Sequence, residues 1–167
     1  TVPALGLDRL SILFEGVYMD NEIYLNGEKI FTWPYGYSQF EIDLTSYVKE
    51  GENTIWVKNT YELPNSRWYP GSGIYRNVWL VRRPAVHFTT DGGYLSAKKE
   101  GDAFILHADY EIQNDTDSAC EVTLCHTVLA PDGKVAGTSK ETLTIPCGLT
   151  VNKQTMTFEA PLLWDIE

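Results

Sequence analysis

Strict alternation of apolar and polar residues is the feature that most constrains the fold of this chain. In "AFILHADYEIQN" (residues 103–114), one face carries Phe, Leu, Ala, Tyr and Ile, and the other carries His, Asp, Glu and Gln. Successive side chains of a β-strand point to opposite faces, so this period of two predicts a half-buried strand. The same pattern recurs in segments that begin at Leu10, Phe40, Val122, Leu143 and Met156. We therefore expect an all-β protein built from antiparallel strands.

Turn-forming residues separate these strands. Asn26-Gly27 lies between two strand-like segments, which is the signature of a two-residue hairpin. Pro131-Asp132-Gly133 is expected to act in the same way. Lys49–Asn53 and Thr90–Gly93 are interpreted as further chain reversals.

Short strands with little helical signal predict two β-sandwiches. A helix is expected only at "LTSYVKEG", where Thr45 would cap a single turn that Gly51 ends. Arg82, Arg83 and Pro84 interrupt an apolar segment, and we place a domain boundary there. Residues 1–83 would form the first domain. Residues 84–167 would form the second, whose plain alternation is typical of an immunoglobulin-like sandwich.

The charge of the chain excludes some classes of partner. Lys and Arg number 13 against 23 Asp and Glu, which gives a formal net charge of −10. Such a field repels polyanions, so we expect neither nucleic acid nor membrane as a partner. Aromatic residues make up 13% of the chain, with five Trp and ten Tyr, which suits a flat neutral ligand such as a sugar.

Residues that commonly bind metals are scattered along the chain. Cys120, Cys125 and Cys147 have no regular spacing, which argues against a disulfide framework and predicts free, buried or half-buried thiols. The histidines have no ligand-spaced partners, and His126, on the apolar face of its strand, is expected to be buried and hydrogen-bonded. The sequence therefore predicts no metal site and no cofactor.

The carboxylates do not form a recognisable catalytic pair. Glycosidic hydrolysis needs two carboxyl groups about 5–9 Å apart across the bond. Glu15 with Asp20, and Glu41 with Asp43, are the closest candidates, and both are interpreted as solvated strand faces. We therefore predict no catalytic residue in this chain.

One segment, "NSRWYPGSGIYRNVWL" (residues 65–80), places Arg67 and the aromatic residues Trp68, Tyr69 and Tyr75 around a flexible Pro-Gly-Ser-Gly turn. It could be a packed corner, with Tyr75 and Trp79 in the core beside Trp68 and Tyr69. The packed corner is the favoured interpretation of the residues alone, because most aromatic side chains are core, and the alternative is a ligand-facing loop, where Arg bonds sugar hydroxyls beside an aromatic ring. "WPYGYSQF" (residues 33–40) poses the same choice, and its aromatic residues are interpreted as core. A binding site gains weight if the two segments meet in space.

Three segments occur in fixed order: "FEGVYMDNEIYLNGEKI", "YGYSQFEIDLTSYVKEGEN" and "NSRWYPGSGIYRNVWL". They closely resemble the N-terminal sugar-binding sandwich of glycoside hydrolase family 2, in particular its β-galactosidases. From Ala85 to "PLLWDIE", the chain is similar to the family's immunoglobulin-like domain. The resemblance implies an incomplete jelly-roll, galactose-binding-like domain, followed by an immunoglobulin-like sandwich that is truncated at its C-terminus.

Family members are retaining exo-glycosidases whose two catalytic Glu residues lie in a (β/α)₈ barrel. The resemblance therefore implies a non-catalytic fragment, inactive alone, of an enzyme that hydrolyses terminal β-D-galactosides. It would contribute a substrate-pocket loop and brace the absent barrel. β-Glucuronidases and β-mannosidases share this architecture. A free-standing carbohydrate-binding module is the alternative, and a purely structural module is a third class.

The resemblance also implies which residues contact substrate. In related enzymes, the loop before the Ser-Gly-Ile-aromatic-Arg segment reaches the active site, and that role carries over to Asn65, Ser66 and Arg67, with Trp68 beside them. Arg67 stands where several relatives have an acidic residue. Arg76 is expected to tie the corner together.

Two further expectations follow from the resemblance. Missing first strands would leave unpaired sheet edges, which predicts self-association, as in a homo-oligomer. The compartment stays open between a bacterial cytoplasm and a periplasmic or secreted location.

Overall fold

The computed structural model describes residues 1–62, 71–159 and 161. The chain divides into two compact units, Thr1–Pro84 and Ala85–Glu167. All regular secondary structure in the described residues is β-strand. The prediction of an all-β protein is therefore confirmed.

The first unit contains two three-stranded sheets and one short strand pair in its described part. Its strands are β1 (Arg9–Phe14), β2 (Val17–Tyr18), β3 (Asn21–Leu25), β4 (Glu28–Trp33), β5 (Phe40–Asp43), β6 (Ile55–Asn59), β7 (Gly73–Ile74) and β8 (Val78–Arg83). One sheet has the order β5-β1-β8, the other has the order β4-β3-β6, and β2 pairs with β7. All of these pairings are antiparallel.

The core of the first unit joins the inward faces of its two larger sheets. Ile12 and Phe14 of β1 share one buried cluster with Ile23 and Leu25 of β3. The rings of Phe14 and Phe40 stack with centroids 5.1 Å apart. Full burial of a side chain of this size contributes about 1.5–3 kcal/mol. The predicted period of two is therefore what places these residues on one face.

The predicted hairpin at Asn26-Gly27 is confirmed. Leu25 pairs with Glu28 across the turn, and the two central residues have φ of 52° and 90°. A type I′ turn needs positive φ at both positions, which Asn tolerates and Gly adopts freely.

The predicted helical segment is a single turn, in which the Val48 N–H donates to the Leu44 carbonyl at 3.0 Å. Thr45 does not cap it, so that prediction is wrong. The Thr45 hydroxyl accepts a hydrogen bond from the Leu10 N–H of β1 at 2.9 Å. The Thr45 N–H instead donates to the Asp43 carboxylate at 2.8 Å. The Thr45 hydroxyl is therefore bonded to β1 and is not available to cap the helical turn.

The second unit is built from five long strands. These are β9 (Val86–Glu100), β10 (Ala103–Asn114), β11 (Cys120–Leu129), β12 (Val135–Ile145) and β13 (Gly148–Glu159). They form a sheet of order β13-β10-β9 and the pair β11-β12. Gly133, with φ of 82°, donates to the Ala130 carbonyl at 2.9 Å and closes the predicted turn between β11 and β12.

The reversal predicted at Thr90–Gly93 is wrong, because this segment lies inside β9. Asp91 has φ of 57°, and the β9–β10 register shifts between Tyr110 and Ile112. Four residues of β9, Thr89–Gly92, therefore oppose the single residue Glu111 of β10, which makes an enlarged β-bulge that does not reverse the chain. Gly92 is needed there because a Cβ would collide with the Thr89 hydroxyl.

The predicted burial of His126 is confirmed, with 9% of the residue exposed. Its Nδ1 lies 3.5 Å from the Tyr110 hydroxyl, at the outer limit of a hydrogen bond. The thiols are free, but only Cys120 is half-buried, whereas Cys125 and Cys147 are exposed. The expectation of buried thiols is therefore wrong for those two, because their strand and turn positions face outward.

Within the described residues, the structure has no helix long and apolar enough to cross a membrane. The same residues contain no group of three His, Cys, Asp or Glu side chains placed to hold a metal ion.

Candidate functional site

The two aromatic segments that the sequence singled out meet in the first unit. The Tyr75 hydroxyl donates a hydrogen bond to the Gly36 carbonyl at 2.8 Å. The Tyr75 N–H donates to the Gly16 carbonyl at 3.2 Å. The described part of "NSRWYPGSGIYRNVWL" therefore contacts "WPYGYSQF", which is the condition that gives a binding site more weight than a simple packed corner.

The four residues predicted to bind substrate, Asn65, Ser66, Arg67 and Trp68, lie outside the described residues. Their role stays a prediction.

The described residues that flank this loop both lie near Tyr18. The Tyr61 ring is 6.4 Å from the Tyr18 ring, centroid to centroid. Gly71 lines the same cavity as Tyr18. The structure therefore defines the frame from which the predicted loop departs and to which it returns.

That frame borders an open cavity of about 280 Å³. Among the described residues, it is lined by Tyr18, Tyr37, Gly71, Ser72, Gly73, Ile74 and Tyr75. Ligand pockets are commonly about 300–1,000 Å³ and combine apolar walls with a few polar groups. Three tyrosines supply both features, because each carries a flat ring face and a hydroxyl.

The tyrosines form a connected group around Tyr18, which is 5% exposed. The Tyr37 ring meets Tyr18 edge-on at 5.1 Å, and Tyr35 meets Tyr37 at 5.8 Å. Tyr35 and Tyr37 are each 57% exposed. In contrast, Trp33 packs against the core. The core interpretation of "WPYGYSQF" is therefore right for Trp33 and wrong for the two tyrosines.

Close approach explains why rigid rings lie beside glycines in this region. A Cβ on Gly16 would sit 2.6 Å from Cζ of Tyr75. A Cβ on Gly36 would collide with the ring of Tyr18. Real Cβ atoms do not approach so closely, so any other residue would displace a ring. These two glycines therefore provide space rather than flexibility.

The packed-corner interpretation is wrong for Tyr75 and Trp79, which are 49% and 51% exposed. The Trp79 indole N–H donates to Oε1 of Glu15 at 2.7 Å, and the Asn77 amide donates to its other oxygen at 3.1 Å. The Arg76 guanidinium lies 5.8 Å from the centroid of the Tyr75 ring, which suits a cation–π contact.

Two of the acidic residues considered for chemistry, Glu15 and Glu41, have structural partners. Glu15 accepts from two donors, as described above. Glu41 forms an ion pair with Arg83 at 2.5 Å and accepts from the Ser11 hydroxyl. The prediction of a solvated strand face is therefore wrong for Glu41, whose side chain is only 21% exposed.

Burial raises the pKa of Tyr18, and its hydrogen bond with Tyr37 raises it further. The phenol therefore stays protonated at neutral pH and can donate or accept a hydrogen bond. The cavity can thus bind and orient a polar ligand.

Sequence reasoning missed Tyr18 and Tyr61 as site residues. The signal available for Tyr18 was its place in "FEGVYMD", two residues from both Gly16 and Asp20.

Comparison with known proteins gives consistent results for sequence and fold. Residues 4–84 match the family model described as "Glycosyl hydrolases family 2, sugar binding domain". The chain is 36% identical to the beta-galactosidase BoGH2A of Bacteroides ovatus, over 93% of this chain and 19% of that protein. It is 29% identical to a beta-glucuronidase of Formosa agariphila, over 93% of this chain and 18% of that protein.

Comparison with solved structures also finds members of glycoside hydrolase family 2. A glycosyl hydrolase family 2 member from Bacteroides cellulosilyticus superposes with a TM-score of 0.89 at 29% identity, covering 96% of this chain and 21% of that one. A beta-glucuronidase from glycoside hydrolase family 2 gives a TM-score of 0.84 at 26% identity, over 95% of this chain and 19% of that one. The chain therefore spans about a fifth of the length of these relatives.

Proposed function

The chain belongs to glycoside hydrolase family 2, and from that membership we propose that it is the non-catalytic part of a β-galactosidase that carries one wall of the substrate pocket. In this proposal, the first domain is a jelly-roll sandwich that presents a substrate loop. The second is an immunoglobulin-like sandwich that braces a catalytic barrel.

The tyrosine-lined cavity is the observation that supports this proposal best. It lies in the part of the chain that matches the sugar-binding family model. It combines flat apolar rings with hydroxyl groups. These match a pyranose, which has apolar C–H faces and hydroxyl groups of its own. The cavity also lies beside Tyr61 and Gly71, which flank the predicted substrate loop.

The proposed roles divide between the loop and its frame. Asn65, Ser66 and Arg67 would donate or accept hydrogen bonds to hydroxyls of the terminal sugar, and Trp68 would stack on its ring face. The Tyr75–Gly36 hydrogen bond would hold the frame rigid, which reduces the entropy lost when the sugar binds. The catalytic carboxylates would lie in the barrel, since Glu15 and Glu41 already have structural partners.

Two sugars compete for this assignment. The relatives above include proteins named beta-galactosidase and beta-glucuronidase. The 36% identity to the galactosidase supports a galactoside. A cation at Arg67 would suit the carboxylate of a glucuronide, because guanidinium groups bind carboxylates in a bidentate manner.

The test uses the enzyme encoded by the full reading frame that contains this chain. We expect kcat/KM for p-nitrophenyl β-D-galactoside to exceed that for the β-D-glucuronide by at least about tenfold. A preference for the glucuronide, or no hydrolysis of either, would overturn the assignment. Sugar binding without hydrolysis would favour a carbohydrate-binding module instead.

Arg67→Ala tests the loop role. We expect KM for the preferred glycoside to rise by about tenfold with kcat little changed, since the residue would contribute similarly to ground-state and transition-state binding. Arg82→Ala is the matched control, because Arg82 pairs with Asp8 at 2.7 Å and lies on a separate, exposed part of β8. Unchanged kinetics in Arg67→Ala would show that the loop assignment is wrong.

A further inference from the structure

The outer face of the β4-β3-β6 sheet carries an exposed tryptophan that the proposed function does not use. Trp56 is 71% exposed, although it lies within β6. Its neighbours Ile55 and Val57 pack against the core. Alternation along the strand therefore directs the indole away from the core, to the opposite face of the sheet.

Trp56 lies in a groove of about 860 Å³. The groove is lined by Tyr24, Asn26, Gly27, Lys49, Thr54, Trp56, Val57 and Lys58. None of these residues lines the tyrosine cavity described above. The volume lies within the range of about 300–1,000 Å³ that ligand pockets commonly have.

A second aromatic residue lies next to Trp56 in the groove. Tyr24 of β3 is the direct partner of Trp56 in the β3–β6 register. Directly opposed residues in an antiparallel pair have Cβ atoms about 4.5–5.5 Å apart. The groove thus offers two adjacent aromatic side chains at one point of a rigid sheet.

Polar side chains beside these rings are held in fixed positions. The Glu22 carboxylate accepts from the Tyr24 hydroxyl at 2.7 Å, from Lys29 Nζ at 3.0 Å and from Lys58 Nζ at 3.1 Å. These three donors, with Tyr24 contributing most, lower the pKa of Glu22 to about 2. The network is therefore ionised at neutral pH, and it fixes Tyr24 and Lys58 without help from a ligand.

The charges favour a neutral ligand over a polyanion. Glu22 already pairs with both Lys29 and Lys58, so these ammonium groups act as hydrogen-bond donors more than as uncompensated charges. The chain as a whole carries a formal charge of −10, which repels nucleic acid and anionic lipid. An exposed indole with fixed donors and acceptors at its edge matches a sugar, which has apolar C–H faces and an equatorial rim of hydroxyls.

We propose that the groove around Trp56 binds a neutral oligosaccharide, as a second saccharide site distinct from the predicted substrate loop. The ring faces of one sugar unit stack on Trp56, with Tyr24 beside it. Hydroxyls of that unit or its neighbour accept hydrogen bonds from Lys49 and Lys58. β-1,4-Linked pyranoses with equatorial hydroxyls are the expected class, because they expose the most C–H surface on both ring faces.

Calorimetric titration of the protein with cellotetraose and xylotetraose tests the proposal. Neither sugar ends in a β-galactoside, so the substrate loop does not supply the signal. We expect a Kd on the order of 1 mM or tighter for at least one of them. Trp56→Ala should weaken binding by about tenfold or more, as truncation of a central Trp commonly does. Trp56→Tyr should stay within a few-fold of the parent, since an aromatic face remains.

Tyr94→Ala is the matched control, because Tyr94 is 68% exposed and lies in the second unit. It should bind as the parent does. Circular dichroism should give the same thermal midpoint for Trp56→Ala and the parent, since the indole is mostly exposed. No binding of either tetraose, or equal binding by Trp56→Ala, would overturn the proposal.

This proposal and the proposed function can fail separately. Binding through Trp56 in a protein that hydrolyses neither aryl glycoside would support the groove and overturn the galactosidase assignment. Hydrolysis of aryl galactosides without Trp56-dependent tetraose binding would support the galactosidase assignment and overturn the proposal for the groove.

Discussion

The Tyr75 hydroxyl and the Gly36 carbonyl are joined by a 2.8 Å hydrogen bond across 39 residues of sequence. This contact connects the two aromatic segments and holds Tyr75, which lines the tyrosine cavity. It carries the ring of Tyr75 over Gly16, where only a hydrogen atom fits. The candidate site therefore depends on long-range packing of rings against glycines, and its stability can be tested directly.

Tyr75→Phe should destabilise the first unit by about 1 kcal/mol, because the Gly36 carbonyl loses its donor while the ring is kept. Urea unfolding followed by tryptophan fluorescence measures this, since four of the five Trp residues lie in the first unit. Tyr94→Phe is the control, because Tyr94 is exposed in the second unit. An equal unfolding midpoint for Tyr75→Phe and the parent would contradict the assigned role of this hydrogen bond.

Gly36→Ala should cost about 1–3 kcal/mol, because the added methyl collides with the ring of Tyr18 and that ring is buried. The same urea experiment applies. Gly71→Ala is the matched control, since no atom of the described residues lies within 4 Å of a Cβ at that position. Its free energy of unfolding should stay within about 0.5 kcal/mol of the parent. Equal losses in both variants would indicate a backbone effect and argue against the steric explanation.

Glu22 should make the first unit sensitive to acid. Its pKa in the folded protein is about 2, below the ordinary value of 4.5, so the unfolded chain binds this proton more readily. The stabilisation is therefore fully present above the unfolded pKa and is lost as pH falls toward the folded value. Between pH 7 and pH 3, we expect the thermal midpoint of the parent to fall more steeply than that of Glu22→Gln.

Glu28→Gln is the control for this pH series, because Glu28 is an exposed residue of the adjacent β4. It should follow the parent curve. Parallel curves for Glu22→Gln and the parent would show that the carboxylate is not linked to folding.

The three thiols should differ in their reaction with a disulfide reagent such as 5,5′-dithiobis(2-nitrobenzoate). Cys125 and Cys147 are exposed and should react quickly in the native protein. Cys120 is half-buried, and its Sγ lies 4.0 Å from the Ile145 carbonyl, so it should react more slowly. Cys120→Ser identifies the slow phase. Three equal rates would contradict this assignment.

The sequence by itself determined the strands and the tightest turns. Alternation over a few residues placed Ile112 inside β10, and Asn26-Gly27 required a type I′ hairpin. These outcomes depend on local backbone preference and on which face of a strand is apolar, and both are readable in a short window. The sequence also carried the resemblance to family 2, because its motifs are specific strings in a fixed order.

Only the tertiary structure decided which aromatic residues are core and which are exposed. Trp33 and Tyr35 are two residues apart in an aromatic segment, yet the first packs against the core and the second is exposed. Asp91 looked like the centre of a reversal and is part of a bulge. In each case the outcome depends on partners far along the chain. A local pattern does not show which distant segment a side chain will pack against. That packing depends on contacts that form only when segments far apart in the sequence meet.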